Sequence, residues 1–110
     1  MFEIRTYQTA DGGRPYDEWL SGLDAIAARR VRARVARIGI GAFGDSKMLA
    51  DAGGVCELRL KFGPGYRVYY GKDGATIVLL LCGGDKSTQK RDVAKAAGYW
   101  KEYRERKVES

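Results

Sequence analysis

Four cations lie in or beside a run of alternating apolar and polar residues: Arg59, Lys61, Arg67 and Lys86. The alternation places Arg59 and Lys61 on the polar face of one predicted strand and Arg67 on the next strand. A planar guanidinium matches the oxygens of a phosphate group, and a lysine can carry a proton when neighbouring cations lower its pKa. RNA supplies its own nucleophile, the 2′-hydroxyl. Such a patch could align that hydroxyl, accept its proton and stabilise the charge that builds on the phosphate.

Other catalytic arrangements are poorly represented. The chain contains no histidine, which excludes the usual general base, a serine–histidine triad and most catalytic zinc sites. Residues 83–87, Gly-Gly-Asp-Lys-Ser, lack the leading glycine and the spacing of a phosphate-binding loop. The cations alone leave an alternative open, because a protein that binds nucleic acid without any chemistry would show the same basic face.

The net charge also favours a negatively charged partner. The 110 residues carry a formal charge of +6. Residues 1–54 contain 8 basic and 7 acidic side chains, a net charge of +1, and residues 55–110 contain 12 and 7, a net charge of +5. A polyanion, an acidic protein or a membrane surface would fit this excess. The alternative is a soluble basic domain without such a partner.

The stretch that carries the cations predicts three strands in a meander. Residues 55–62 alternate between apolar and polar types, and so do residues 66–70. Between them, Gly-Pro-Gly at 63–65 predicts a turn. Asp-Gly at 73–74 predicts a hairpin into the third strand.

The third strand is expected to lead into a long helix. Residues 76–82 are apolar enough for a central strand that is buried on both faces. Gly83-Gly84 is expected to end the strand, and Ser87 or Thr88 to cap the helix. The charged residues 104–110 are expected to fray.

The first half of the chain predicts one strand and two helices. Residues 2–8 alternate, and Pro15 is well placed in the first turn of a short helix. Asp24 can cap a second helix that runs to about residue 38, with an apolar stripe at helical spacing. The rest of this helix is rich in arginine, which indicates either a phosphate-contacting face or, as we favour, a solvated surface.

These elements predict an α+β fold in a single domain, residues 1–110, with strand, helix, helix, a three-stranded antiparallel meander and a final helix. Helices are expected to cover one sheet face and leave the other open to a ligand. Cys56 and Cys82 lie inside predicted strands and are expected to be reduced core residues. The chain has no apolar run that could span a bilayer and no signal-peptide pattern at its start, which favours the cytoplasm.

Two segments carry a resemblance to a known family. GPGYRVYY at 63–70 and IVLLLCGGDKSTQKRDVAKA at 77–96 closely resemble the RelE/ParE superfamily of toxin–antitoxin toxins. The nearest resemblance is to the HigB-like addiction module killer proteins, which are related to phage Gp49-like proteins. The resemblance implies a RelE-like fold and a metal-independent endoribonuclease that cleaves ribosome-bound mRNA without a cofactor.

The resemblance also implies residue roles. Arg67 matches the sheet arginine that contacts the scissile phosphate, and Tyr99 and Tyr103 are candidates for a C-terminal tyrosine of some relatives. The implied catalytic residues are Arg67, Lys86, Lys61 and Arg59. The candidate RNA contacts are Arg67, Tyr69, Lys90, Arg91, Arg30 and Arg34.

Partners follow from the same resemblance. It implies neutralisation by a cognate antitoxin, expected to be a small helix-turn-helix protein, and action on the ribosome and its mRNA, without a role at a membrane. Two alternatives remain open: a ParE-like toxin that inhibits gyrase, and a nucleic-acid-binding module without activity.

Overall fold

The computed structural model of the protein describes residues 1–109, which contain five strands and three helices. The elements follow one another as β1 (Glu3–Thr6), α1 (Pro15–Ser21), α2 (Ala25–Gly39), β2 (Ser46–Met48), β3 (Cys56–Leu60), β4 (Tyr66–Asp73), β5 (Ile77–Asp85) and α3 (Gln89–Glu109). A 3-10 turn, Lys86–Thr88, joins β5 to α3. No helix in residues 1–109 combines the length and apolar character needed to cross a bilayer.

The strands form one mixed sheet in the order β1-β5-β4-β3-β2. The predicted antiparallel meander is confirmed as β3, β4 and β5. The sheet is larger than the meander, because β1 adds in parallel to β5 and the short β2 pairs with β3. The α+β prediction is therefore confirmed.

The first sheet face is covered by α1 and α2. The predicted Asp24 cap is confirmed, since its carboxylate accepts a hydrogen bond from the backbone N–H of Ala27 over 2.9 Å. The apolar stripe of α2, which includes Val31 and Ile38, packs against β3 and β4 residues such as Leu58 and Val68.

The second sheet face is covered by α3, so the prediction that helices occupy one face was wrong. Trp100 and Ala96 of α3 pack against Tyr69 of β4 and Leu79 and Leu81 of β5. The reason lies in β5, whose consecutive apolar residues project to both sides of the sheet. Each side therefore needs an apolar layer, and α3 supplies the second one. Arg59 and Arg67 of the meander lie near its N-terminal end, where Gln89 bonds to Glu57.

The two glycines expected to end the third strand lie inside β5, which continues to Asp85. A Cβ atom on Gly83 would lie 2.2 Å from the ring of Trp19, and one on Gly84 would lie 1.8 Å from Oδ2 of Asp92. The glycines therefore permit close packing on both faces and do not terminate the strand.

The 3-10 turn before α3 has its own cap at Asp85, whose carboxylate accepts from the backbone N–H of Ser87 over 2.8 Å. Ser87 and Thr88, the predicted caps of the long helix, lie within this turn. The Thr88 side chain accepts reciprocally from the backbone N–H of Asp85 over 3.3 Å. This capping box directs the chain from the sheet into the turn and on into α3.

The charged tail was expected to fray from Arg104, but α3 continues to Glu109. Tyr103 and Lys107 each donate a 2.6 Å hydrogen bond to the Asp73 carboxylate at the end of β4. Both bonds lower the pKa of Asp73 below its ordinary value, and the bond from Lys107 has the larger effect. Residue Ser110 lies outside the described residues.

Candidate functional site

Arg59 and Arg67 are direct cross-strand partners on β3 and β4. Their side chains lie on the face that α3 covers and are 38% and 11% exposed. Like charges that are directly opposite each other in an antiparallel pair repel. The pair therefore needs a nearby negative charge, in the protein or in a ligand.

The protein provides this charge through Glu57, whose side chain is fully buried. Arg59 Nε donates to Glu57 Oε1 over 3.1 Å, and Arg67 Nε lies 4.0 Å from the same oxygen. Gln89, the first residue of α3, donates from Nε2 to Glu57 Oε2 over 2.7 Å. Two strands and a helix therefore meet at one carboxylate.

The guanidinium of Arg67 is turned back over the connection between β3 and β4. Its Nη1 donates to the carbonyl oxygens of Gly65, over 3.0 Å, and of Tyr66, over 3.3 Å. Gly65 has a φ of +80°, which favours glycine at this turn. The Nε atom of Arg67 is buried and has no hydrogen-bond partner within residues 1–109. Arg67 is therefore held by one nitrogen and retains unused donor capacity.

Lys86 approaches the same turn from the far side of β4. It is exposed and begins the 3-10 turn after β5. A Cβ atom on Gly65 would lie 3.4 Å from Arg67 Nη1 and 3.5 Å from Lys86 Cβ, so both side chains flank this glycine. Arg59, Arg67 and Lys86 thus form one group, which we call the cationic cluster.

The cationic cluster can bind an anion with several oxygens. Two guanidinium groups provide planar donors at neighbouring strand positions, and the exposed Lys86 lies beside the same turn at Gly65. Such donors suit a phosphodiester and the extra negative charge that it gains during cleavage. In the part of the chain that the structure describes, no group of three or more cysteines and carboxylates is arranged to hold a metal ion.

Comparison with known proteins places the chain in a family. The Gp49-like family of phage-derived proteins (DUF891) matches residues 18–97. The chain belongs to this family. It is a family associated with RelE and toxin-like proteins. A protein of Haemophilus influenzae (strain ATCC 51907 / DSM 11121 / KW20 / Rd), described as an uncharacterized protein, is 46% identical over 82 residues, which are 74% of this chain and 81% of that protein.

The matched part of this Gp49-like chain contains the whole cationic cluster, together with Glu57 and Gln89. It also contains Lys61, a predicted catalytic residue. The Lys61 side chain is 82% exposed, and its Nζ lies 3.6 Å from an oxygen of Asp45. Lys61 follows β3 and makes none of the contacts around Glu57, so it is not a member of the cationic cluster.

Tyr69 is a predicted RNA contact that the structure does not support. Its side chain is fully buried beneath α3, and burial raises its pKa above the ordinary value, with the nearby Glu57 and Asp92 carboxylates adding to the effect. Sequence alternation correctly places Tyr69 on the face of Arg67, but it does not reveal that α3 covers this position. A fully buried ring offers no surface on which a base can stack.

Lys90 and Arg91 lie on the exposed first turns of α3, beyond Lys86. They line a shallow surface depression together with Ser87 and Thr88. Arg91 is 66% exposed, and its Nε lies 3.5 Å from Asp92 Oδ1. These two cations extend the basic surface along the helix from the cationic cluster.

Arg30 and Arg34 of α2 are not brought to the cationic cluster. Helix α2 packs on the opposite sheet face. The Arg30 guanidinium carbon lies 3.9 Å from the centre of the Phe62 ring, an arrangement that favours cation–π attraction. Arg34 lies against Gly44 in the loop before β2. A ligand at Arg67 would therefore have to reach around the sheet edge to contact either residue.

The two tyrosines of α3 are also placed away from the site. Tyr99 stacks on Tyr7, and Tyr103 bonds to Asp73 at the opposite end of β4 from Arg67.

Glu57 and Gln89 belong to the site but were absent from the predicted site. The signal for Glu57 was its place on the same strand face as Arg59, but a strand pattern does not show which polar side chains a distant helix will bury.

Proposed function

We propose that this protein is the toxin of a type II toxin–antitoxin system and that it cleaves ribosome-bound mRNA as a metal-independent endoribonuclease. The observation that carries the proposal is the cross-strand pair Arg59 and Arg67, joined at Gly65 by Lys86. The toxin association of the Gp49-like family and the resemblance of residues 63–70 and 77–96 to HigB-like proteins support the same proposal.

The reaction begins with the 2′-hydroxyl of the RNA. Its oxygen attacks the adjacent phosphorus, and the bond from phosphorus to the 5′-oxygen of the next nucleotide breaks. The products carry a 2′,3′-cyclic phosphate and a 5′-hydroxyl, so the proton lost by the 2′-oxygen is balanced by the one gained by the 5′-oxygen. Arg59 and Arg67 bind the non-bridging oxygens and stabilise their charge. Lys86, the exposed lysine of the cluster, accepts the proton from the 2′-oxygen and supplies one to the 5′-oxygen.

Substrate binding uses the basic surface that continues from the cluster. Lys90 and Arg91 lie along the first turns of α3 and are exposed, which suits contacts to the phosphates on either side of the scissile bond. Lys61, which is exposed after β3, adds a further positive charge. Such contacts position the strand and carry little sequence information, so the choice of cleavage site falls to the ribosome and the bases presented there.

Expression of the protein without an antitoxin is expected to arrest growth by stopping translation. The measurement is induced expression in bacteria with incorporation of labelled amino acids, followed by mapping of mRNA 5′ ends. New ends inside coding regions would support cleavage. Gyrase-linked DNA breaks with continued translation would instead favour the ParE-like alternative. Normal growth at a high level of soluble protein would contradict an active toxin, and RNA binding by the pure protein would then favour a non-catalytic module.

We further propose that an antitoxin neutralises the protein by covering the cationic cluster with acidic and apolar side chains. Displacement of α3 is the other route. The C-terminal half of α3, however, packs on the sheet through the buried Trp100. It is also held by 2.6 Å hydrogen bonds from Tyr103 to Asp73 and from Tyr7 to Glu102. Covering the cluster breaks none of these contacts and pairs the positive surface with negative charge.

Hydrogen exchange can separate the two routes of neutralisation. In a complex with a cognate antitoxin, amides near 59–67 and 85–91 should become protected while those of α3 beyond residue 96 keep their slow exchange. Faster exchange throughout α3 would indicate displacement. Protection that avoids both regions would contradict the proposed surface.

A further inference from the structure

Glu57 is a fully buried carboxylate in a site that attracts anions. Burying a charge is unfavourable unless it is paired and hydrogen-bonded, and an apolar residue of similar volume would be cheaper to bury at this strand position. The pairing is asymmetric: Arg59 is bonded at 3.1 Å, whereas Arg67 Nε is 4.0 Å away and has no hydrogen-bond partner within residues 1–109.

The geometry is unsuited to proton transfer by Glu57. Oε1 accepts from Arg59 and Oε2 accepts from Gln89, so both oxygens are engaged. The side chain has no exposed surface through which a 2′-hydroxyl could reach it. What remains for this carboxylate is an electrostatic and orienting effect on its neighbours.

That effect falls on two guanidinium groups at once. Arg59 and Arg67 are cross-strand partners whose like charges repel. Glu57 lies between them with one oxygen, Oε1, facing the Nε atom of each. Gln89 fixes the other oxygen, which sets the plane of the carboxylate from the helix side.

We propose that Glu57 is a positioning residue that holds the guanidinium groups of Arg59 and Arg67 as a preformed pair before a phosphate binds. Its kinetic consequence rests on the proposed RNA cleavage, but the ordering of the two arginines does not. Donors that are fixed in advance need no reorganisation when charge develops on the phosphate. Loss of Glu57 should therefore slow the chemical step more than it weakens RNA binding.

The test variant is Glu57→Gln, which keeps the size of the side chain and removes its charge. The matched control is Glu3→Gln, which removes an exposed carboxylate that pairs with Arg5 on the edge strand β1. The first measurement is independent of activity: ¹⁵N relaxation of the arginine Nε–H groups. In Glu57→Gln the Arg59 Nε–H should become as mobile as that of an exposed arginine, and the Arg67 Nε–H should lose order, whereas Glu3→Gln should leave both unchanged.

The second measurement separates binding from cleavage. An RNA with a 2′-deoxy nucleotide at the cleavage site reports binding, and the unmodified RNA on purified ribosomes reports the single-turnover rate. Glu57→Gln should bind the deoxy RNA as tightly as the wild type or more tightly, because one negative charge is gone. Its cleavage rate should fall roughly 10- to 100-fold, as expected for misplaced catalytic groups. A purely structural role would lower affinity and rate together.

The outcomes distinguish this proposal from the proposed function. If the folded wild type does not cleave RNA, the proposed function fails, and the relaxation data still decide whether Glu57 orders the arginines. If the wild type cleaves and Glu57→Gln matches it in rate or in arginine order, the positioning role is overturned. Should Glu57→Gln fail to fold, Glu57→Asp takes its place: it keeps the buried charge and withdraws the carboxylate by one methylene group from both arginines. Unchanged Arg59 and Arg67 order in folded Glu57→Asp would then overturn the proposal.

Discussion

Arg67→Ala is expected to lower the single-turnover rate of mRNA cleavage about 100- to 1,000-fold, the loss typical of a donor whose interaction forms mainly in the transition state. Arg67 is the most enclosed member of the cationic cluster, with a side chain that is 11% exposed. Its Nη1 is occupied by the turn at residues 65 and 66, and its Nε is buried without a hydrogen-bond partner among the described residues. The buried Nε faces Glu57 Oε1 at 4.0 Å, so a phosphate oxygen would bind the remaining Nη donors of Arg67.

Arg67→Lys should recover only part of the activity. An ammonium keeps the positive charge beside Glu57, but it cannot offer two parallel donors to a phosphate. The comparison therefore separates the charge of Arg67 from its shape. Cleavage on purified ribosomes is the measurement for both variants.

Two controls accompany the Arg67 variants. Thermal melting is needed because Arg67→Ala also removes the bonds to Gly65 and Tyr66 and a cation near Glu57. Arg30→Ala is the matched arginine variant on the opposite sheet face, where its side chain lies over Phe62. It should cleave at nearly the wild-type rate. Wild-type cleavage by a folded Arg67→Ala protein would overturn the assignment and shift attention to Lys86 and Lys61.

Much of the fold could be predicted because its strands and helices carry clear periods. Leu58 and Leu60 alternate with Glu57 and Arg59, and the structure places the two sets on opposite faces of β3. The Asp24 cap is equally local, since a carboxylate can reach the N–H of the third following residue with no contribution from the rest of the chain.

The errors arose where distant contacts decide the outcome. Gly83 and Gly84 were interpreted as a strand end, whereas they provide room for Trp19 and Asp92, which come from helices on opposite faces. The position of α3 follows from the need to cover the second apolar face of β5. A single sequence gives the apolar stripe of a helix, but it does not state which face that stripe will contact.

The candidate site could be predicted only in part, because some of its features follow from local strand patterns and others from distant contacts. Arg59 and Arg67 could be placed on neighbouring strands from alternation and turn residues alone. The burial of Tyr69 and the bond from Gln89 to Glu57 depend on where α3 crosses the sheet. The predicted cations thus included those of the cluster, while the carboxylate between them was missed.

A close contact between α3 and β4 leads to a second large expected effect. Trp100 is 6% exposed, and its ring lies over Gly71 of β4: a Cβ atom on Gly71 would lie 2.4 Å from Trp100 Cε3. Trp100→Ala should lower the free energy of unfolding by about 3–5 kcal/mol, because it removes a large buried ring and leaves a cavity. The melting temperature should fall by roughly 10–20 °C.

The partner substitution tests the contact itself. Gly71→Ala should destabilise the wild type by about 1–3 kcal/mol, since the added methyl group forces the Trp100 ring to shift. In the Trp100→Ala background the same methyl group meets no ring, so its effect should nearly vanish and the two losses should be strongly non-additive.

A second tryptophan on the other face provides the control for this coupling. Trp19 packs against Gly83, so Gly71→Ala should cost the same in the Trp19→Ala background as in the wild type. Urea unfolding of the single and double variants gives each free energy. Additive losses for Gly71 and Trp100 would mean that the ring does not lie over this glycine, and the placement of α3 on the second sheet face, which buries Tyr69 and brings Gln89 to Glu57, would lose its principal support.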